Sequence, residues 1–358
     1  VKDGELACYG ALADLPPAAR TLLDAAGRET LFASRPWFES LIGAGLQIGS
    51  APALFVLPDP AGVPLALLPC QRFTGPEADR GPGLPRVASL TSFYSCDYRP
   101  GLRPDAEIPE AAFALGRGVA RALAGEAVVR FDSLDPGQPW LEPFLDGLSR
   151  PGRALLRYDH FGRWWEPLDG RNFDAYFGAR EGALREIVRR KGNRLAKEGA
   201  TLAIVARDDL ARGIADYETV YARSWKEHEP FPDFQPLLMR KLADAGWLRL
   251  ALCRLGDRPV AAQLWVVVDG RATVLKLAHD QEFDRYSPGT VLTAFAIRTL
   301  MAEDRITTLD FGRGDDAYKR AWTTRRTAHV GILWTSLARR PLLAARHLAG
   351  LIMRRNRS

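Results

Sequence analysis

Cysteine is scarce in this chain: four in 358 residues, at Cys8, Cys70, Cys96 and Cys253, with no Cys-x-x-Cys pair and no neighbouring histidine. A disulfide scaffold and a zinc finger are thereby excluded, and the four thiols read as reduced core residues. The other histidines, His160, His329 and His347, have no ligand spacing with acids or cysteines, so no metal is expected. Long apolar runs are missing too. "AAQLWVVVD" ends at Asp269 and "VLTAFAIRTL" carries Arg298, both well short of the roughly 20 residues that span a bilayer. The first residues, "VKDGELACYG", lack the apolar core of a secretory leader, so a cytoplasmic location is expected. Residues 336–358 hold six arginines and no acid. Lysine and arginine number 49 against 43 acids, and those six arginines account for the whole net charge of +6. The balanced remainder argues against a protein-wide nucleic-acid surface and for one local basic element.

With 47% apolar and 26% charged residues the chain is globular, and its length fits two domains of about 150–200 residues each. Both halves repeat one order of elements. In the first, a short strand near "LACYG" and helices at 16–27 and 36–45 precede strands "APALFVLPD", "VPLALLPCQRF" and "RVASLTSFY". Helix "EAAFALGRGVARALAG", strand "AVVRFDSL", a helix at 140–148 and strand "RALLRYDHF" follow. In the second, strand "ATLAIVA" and helices at 209–226 and 235–245 precede "WLRLALCRL", "PVAAQLWVVVD" and "ATVLKLAHD". Gly256-Asp257 and Asp269-Gly270 mark hairpin turns between those three strands. Helix "GTVLTAFAIRTLMAED", strand "ITTLDFG", a short helix at Tyr318 and strand "HVGILW" complete it. This order predicts two α/β units of mixed sheet and flanking helices: residues 1–170, a basic connecting helix at 171–199, residues 200–335, and a tail at 336–358. The connecting segment is densely basic from Arg185 to Lys197, which suits either a solvated helix face or a cationic rim for an anionic ligand.

The stretch "HDQEFDRYSPGTVLTAFAI" joins a strand to a helix. Ser287 suits an N-cap, Pro288 the first helical position, and Gly289 lets a ligand approach the backbone. Free N–H groups of Gly289, Thr290 and Val291, reinforced by the helix dipole, would receive a phosphate or pyrophosphate, with Arg285 adding charge. A good helix start is the plainer reading of the same residues.

Three antiparallel strands, such a turn, a helix, a strand and a short helix resemble the GNAT acyltransferases. "HDQEFDRYSPGTVL", "LDFGRGDDAYKRAW" and "LREIVRRKGNRLAKEG" make the second half similar to the BioF2-like, or CelD-type, branch, with weaker matches at "FASRPWFESL" and "SCDYRPG". The resemblance implies an α/β (α+β) fold of two fused GNAT-like units, as in FemAB-type transferases, each a mixed, mostly antiparallel sheet flanked by helices. It implies an acyl-CoA or acetyl-CoA co-substrate held by Arg285 to Thr290. The turn departs from the family in having a single glycine behind a proline instead of a Gly-x-Gly loop.

Acyl transfer to an amine needs a polarised carbonyl, a proton for the leaving thiolate and a base for the amine. The resemblance assigns the first to backbone N–H groups near Lys276 to Ala278 and the second to Tyr318, with Lys319 free to pair with a donor phosphate or an acidic acceptor. The base is open between His279, beside the donor turn, and Asp310, an acid inside the apolar strand "ITTLDFG" that could equally bond the backbone turn at "GRGDD". Asp97 and Tyr98 in "SFYSCDYRPG", and Trp225, Lys226, His228 and Glu229 in "SWKEHEP", are candidate acceptor contacts; both are also ordinary loop compositions.

The tail "LARRPLLAARHLAGLIMRRNRS" sets Leu342, Ala345, Leu348, Ala349 and Ile352 on one helical stripe flanked by arginines. Contact with an anionic membrane at the inner face and simple packing as a last helix both suit it. Three functions remain in view. One is an acyl-CoA-dependent N-acyltransferase acting on an envelope glycan or lipid amine, such as an exopolysaccharide precursor or a sphingoid base. Another is an aminoacyl-tRNA-dependent transferase, the single case in which nucleic acid is expected. The third is a catalytically empty scaffold subunit of a polysaccharide-synthesis complex.

Overall fold

Antiparallel strands and crossover helices that return to parallel strands carry the chain. The computed structural model describes residues 5–74, 85–339 and 345. Its elements are β1 (Ala7–Tyr9), α1 (Pro17–Glu29), α2 (Arg35–Ser40), β2 (Ser50–Pro58), β3 (Pro64–Phe73), β4 (Val87–Ser89) and β5 (Gly101–Leu102). There follow α3 (Ile108–Ala122), β6 (Val128–Leu134), α4 (Leu141–Leu148), β7 (Arg153–Pro167), α5 (Phe173–Gly178), α6 (Gly182–Lys197) and β8 (Ala200–Ile204). The rest are α7 (Leu210–Ala222), α8 (Phe234–Asp244), β9 (Leu248–Leu255), β10 (Arg258–Val268), β11 (Arg271–His279), α9 (Pro288–Glu303), β12 (Thr308–Arg313), α10 (Ala317–Trp322) and β13 (Arg325–Ser336).

The chain divides into two compact units, one of Val1–Phe161 with Ala328–Ser358 and one of Gly162–Thr327. These boundaries differ from the sequence-based ones at two points. The basic helix α6 belongs to the second unit, packed on α9 and β8, and is not a free connector. Strand "HVGILW", assigned to the second half, is part of β13 and pairs with β6 in the first unit, Ile332 opposite Phe131. Tertiary pairing decides this, because a strand's apolar alternation suits any neighbour that buries the same face.

In the first unit the strand order is β1-β2-β3-β4-β6-β13, with β5 also on β3. The β2–β3 hairpin and β4 are antiparallel, and α3 leads to β6, which lies parallel to β4. Phe55, Leu68, Val119, Phe131, Phe144 and Trp334 anchor its core. Cys70, Cys96 and Cys253 are buried as expected, but Cys8 is exposed on the edge strand β1.

In the second unit the order is β7-β12-β11-β10-β9-β8. Strands β8 to β11 are antiparallel and β12 runs parallel to β11. The β10–β11 turn has Asp269 and Gly270 at φ +48° and +68°, the doubly left-handed geometry of a tight hairpin. Strand β10 is buried on both faces: Ala262 and Leu264 pack with Ile214, Val220 and Met239 under α7 and α8. Trp265 packs with Leu292, Ile297, Phe311 and Trp322 under α9 and α10. Truncating a fully buried residue such as Leu292 to alanine would cost about 2–5 kcal/mol. The predicted helix at 209–226 stops at Ala222, so "SWKEHEP" is loop. Among the described residues no helix is long and apolar enough to cross a membrane. The tail stripe lies outside the described residues, Ala345 excepted.

Candidate functional site

Strands β11 and β12 pair only from Arg271–Thr273 to Thr308–Asp310. Beyond Thr273, β11 continues to His279 against β10 alone, with a bulge at Leu275, between the Trp265–Val274 and Leu264–Lys276 pairs. A parallel pair that separates in this way exposes backbone groups along one edge of β11, and a bulge re-aims the side chains next to it.

The chain leaves β11 through a helical turn, Gln281–Tyr286, and enters α9. Ser287 occupies the N-cap position as predicted, but in the left-handed conformation, φ +48°, and its side chain caps nothing. Side-chain capping needs an extended N-cap backbone, and Ser287 instead closes the preceding turn, its N–H on the Asp284 carbonyl at 3.0 Å. The Val291 N–H, expected free, donates to the Ser287 carbonyl at 3.2 Å. Gly289 and Thr290 are the two helix-start N–H groups with no acceptor among the described residues. A Cβ on Gly289 would stand 3.2 Å from His279 Nδ1, so the glycine is what admits the histidine ring against the helix start.

Gln263 fixes this turn from below: its Nε2 donates to the Gly289 carbonyl at 2.9 Å and to Thr293 Oγ1 at 2.8 Å, and its Oε1 accepts from Trp265 Nε1. The sequence reading missed it, although a glutamine inside "AAQLWVVV" is a signal, since a fully buried amide must find partners. Helix α6 supplies the cationic rim. Lys191 Nζ bonds the Arg285 carbonyl, and Arg194 and Arg285 lie over the Tyr286 ring at 4.6 and 4.8 Å. Tyr286 is held by Glu198 at 3.1 Å. Two N–H groups with no acceptor among the described residues, at a helix N-terminus beside these cations, are an arrangement that suits a phosphate-like anion.

Next to it, His279 Nε2 meets Asp284 Oδ1 at 2.6 Å and its ring packs at a tilt against Trp225 with centroids 4.6 Å apart. Trp225 is 50% exposed. Lys226 reaches over Trp225, its ammonium 5.8 Å from the ring centroid. Lys276 pairs with Glu229 and lies 5.6 Å over Tyr221, whose hydroxyl burial and Glu229 push up. Candidates from "SWKEHEP" and from β11 thus meet in one place; His228 is exposed in the same loop.

Other candidates sit differently. Asp310 is fully buried, with Arg163 Nε at 2.9 Å, Arg271 at 3.6 Å and the Gly312 N–H at 2.9 Å. Burial pushes its carboxyl up, but Arg163, Arg271 and these bonds outweigh it and hold it below the ordinary range. It is an ion-pair centre, not a free base. Tyr318, on α10, is 39% exposed, near Phe311. Lys319 is only 3% exposed and spends its hydrogens on the Arg313 and Gly314 carbonyls and on Asp316 at 3.0 Å, which turns it away from a donor phosphate. In the first unit Asp97 and Tyr98 are buried: the Tyr98 hydroxyl donates to the Pro69 carbonyl at 2.7 Å, and Asp97 accepts from the Tyr98 N–H and from Arg99. They build the core of that unit and do not face an acceptor.

Beside this region an open cleft of about 820 Å³ is lined by Arg223, Arg258, Asp280 and Glu282 among others. Its charges are matched: Arg258 pairs with Asp280 and Glu282, and Arg223 lies 3.8 Å from Asp280. Among the described residues no group of three or more His, Cys, Asp or Glu is arranged to hold a metal ion.

Residues 182–320 match the family described as Acetyltransferase (GNAT) domain. No curated protein matches the chain in sequence. Among solved structures it is similar to FemX, at TM-score 0.62 and 13% identity, over 92% of this chain and 98% of that one. It is also similar to L-PGS from Bacillus licheniformis, at TM-score 0.52 and 13% identity, over 95% of this chain and 99% of that one. A third is the C-terminal domain of a putative lysylphosphatidylglycerol synthetase from Agrobacterium fabrum, at TM-score 0.53 and 13% identity, over 93% and 95%. The described geometry, with β11 and β12 parting before an anion-ready helix start, lies inside the matched segment. Residues 182–320 therefore match a GNAT acetyltransferase domain, and the chain as a whole shares the fold of FemX and L-PGS.

Proposed function

We propose that the chain is an acyl-CoA-dependent N-acyltransferase that acylates a primary amine of a cell-envelope glycan or lipid precursor. The observation that supports it most is the start of α9: two unpartnered N–H groups, Gly289 and Thr290, beside Arg285, Lys191 and Arg194. These would hold the pyrophosphate of coenzyme A, which supplies the activated acyl group when bound. The edge of β11 from Lys276 to Ala278, which β12 does not pair, would offer N–H donors to the acyl oxygen. His279, oriented by Asp284, accepts the amine proton, and Tyr318 supplies a proton to the leaving thiolate. The envelope acceptor draws its support from the arginine-rich, apolar-striped tail.

Similarity in fold to FemX favours a second reading, aminoacyl-tRNA-dependent transfer by a FemAB-type enzyme. The charge balance of the sequence before residue 336 speaks against a tRNA surface. Calorimetric titration with coenzyme A, acetyl-CoA and palmitoyl-CoA separates the readings. The expected result is saturable binding of coenzyme A, with the preferred thioester marking glycan acetylation or lipid acylation. No binding of any of the three would overturn the proposal in favour of the tRNA-dependent or scaffold readings.

A further inference from the structure

Three lysines of the second unit converge beside the donor turn, and only two carboxylates accompany them. Lys276 takes Glu229, at 15% and 10% side-chain exposure. Lys319 takes Asp316 and two carbonyls of its own turn. Lys226 is left with neither: among the described residues its ammonium has the face of Trp225 and no carboxylate or carbonyl partner. It is also half-buried. Burial, followed by Lys276 and Lys319, outweighs Glu229 and Asp316 and brings its ammonium down to about 8. A half-buried cation whose nearby carboxylates, Glu229 and Asp316, each contact another lysine is an unfavourable arrangement in the isolated chain. It becomes favourable when a ligand delivers the missing negative charge.

The position tells which ligand. Trp225 lies under the Lys226 ammonium and packs at a tilt against His279, and His279 abuts Gly289 of the donor turn. Lys276 lies on the part of β11 that has left β12, where the acyl group would be presented. Lys226 is thus joined to His279 through Trp225, whereas Arg285, Lys191 and Arg194 gather at Tyr286 and the Arg285 carbonyl.

We propose that Lys226, supported by Lys276, receives an anionic group carried by the acceptor itself, so that the acceptor is an anionic amine bearing a phosphate or carboxylate near its amino group. This rests on the acyltransferase reading for the word acceptor, but the anion site stands or falls separately. Trp225 covers the aliphatic part of such a molecule and Lys226 sets its orientation, which makes Lys226 a specificity residue and not a group that moves protons.

The test is calorimetric titration of the full chain, first with coenzyme A and then, on the coenzyme-saturated protein, with ethanolamine, phosphoethanolamine and β-alanine. One charge-assisted contact more should make phosphoethanolamine or β-alanine bind about tenfold more tightly than ethanolamine. Which of the two gains more distinguishes phosphate from carboxylate. Lys226→Met should erase the preference while leaving coenzyme A affinity within about twofold, and Lys226→Arg should restore it. Melting temperatures of both variants no lower than that of the unsubstituted chain show that they fold. Equal affinity for all three amines, absence of amine binding, or a preference that survives Lys226→Met would overturn the proposal. Failure of coenzyme A binding with the anion preference intact would instead overturn the donor reading and leave this site standing.

Discussion

The two units run through the same order of elements and end differently at the equivalent helix. In the first, β2, β3 and β4 are antiparallel, α3 crosses over, and β6 lies parallel to β4. In the second, β9, β10, β11, α9 and β12 repeat the scheme. Both helices begin with a proline in the first turn, but α3 has Glu110 there, following Glu107 at the N-cap, whereas α9 has no acid in its first turn and follows proline with Gly289. A carboxylate at a helix start occupies the positive end of the dipole, and a glycine leaves it to a ligand. The loops before the helices differ in the same sense. The first unit folds Asp97 and Tyr98 inward, while the second keeps Trp225, His279 and Arg285 at the surface of one site. On the proposed reading, one architecture serves once as scaffold and once as an anion-binding site, and the difference lies in a few residues at the strand-to-helix turn.

The comparison can be broken most severely at its buried acids. Asp310→Ala, which strands Arg163 in the second unit, is expected to cost about 3–5 kcal/mol in urea unfolding. Asp97→Ala should cost less, about 1–3 kcal/mol, because its partner Arg99 also holds the exposed Glu29. A reversed order would mean that Asp310 is not the ion-pair centre its contacts make it.

Carrying the acid of α3 into α9 is the next test. Gly289→Glu removes the opening for an anion, and loss of two charge-assisted bonds should weaken coenzyme A binding by about 100-fold. The added acid favours the helix start itself, so the melting temperature should hold. Glu110→Gln in the first unit should leave coenzyme A affinity unchanged. Smaller again, Lys191→Ala and Arg194→Ala are each expected to weaken it about three- to tenfold, with the loss shrinking at high salt, as screened contacts do.

The smallest effect is on pH-dependent stability. The folded chain holds the Lys226 proton less tightly, at about 8, than the ordinary 10.5. The unfolded chain therefore binds more protons between those values, and stability rises with pH across that window. The penalty is complete below about pH 8, so Lys226→Met should raise the melting temperature near pH 7 and lose that advantage as the pH climbs toward 10.5. A gain that is the same at both ends would remove burial of the charge as its cause.

Much of the fold was legible because local rules and tertiary packing agree. The hairpin at Asp269-Gly270, the both-faces-apolar β10 and the proline-started α9 each announce themselves in a few residues. The helix start at Pro288 and Gly289 could be read for the same reason, since it is made by consecutive residues. What stayed hidden depends on partners far along the chain. Asp310 finds Arg163 across 147 positions, and Lys276 finds Glu229 across 47, so no local pattern predicts either role. Tyr98 reads as a loop aromatic until Pro69 and Cys70 are seen to enclose it. The left-handed Ser287 was equally out of reach, because the turn that imposes it is a consequence of how Asp280 caps Gln281–Tyr286.

The most direct test of the account is amide hydrogen exchange with and without coenzyme A. Protection is expected at the start of α9, residues 285–291, and along β11 from 274 to 279, with no change at residues 107–112 where α3 begins. Protection at the α3 start, or none at α9, would contradict the claim that the second unit alone holds the donor.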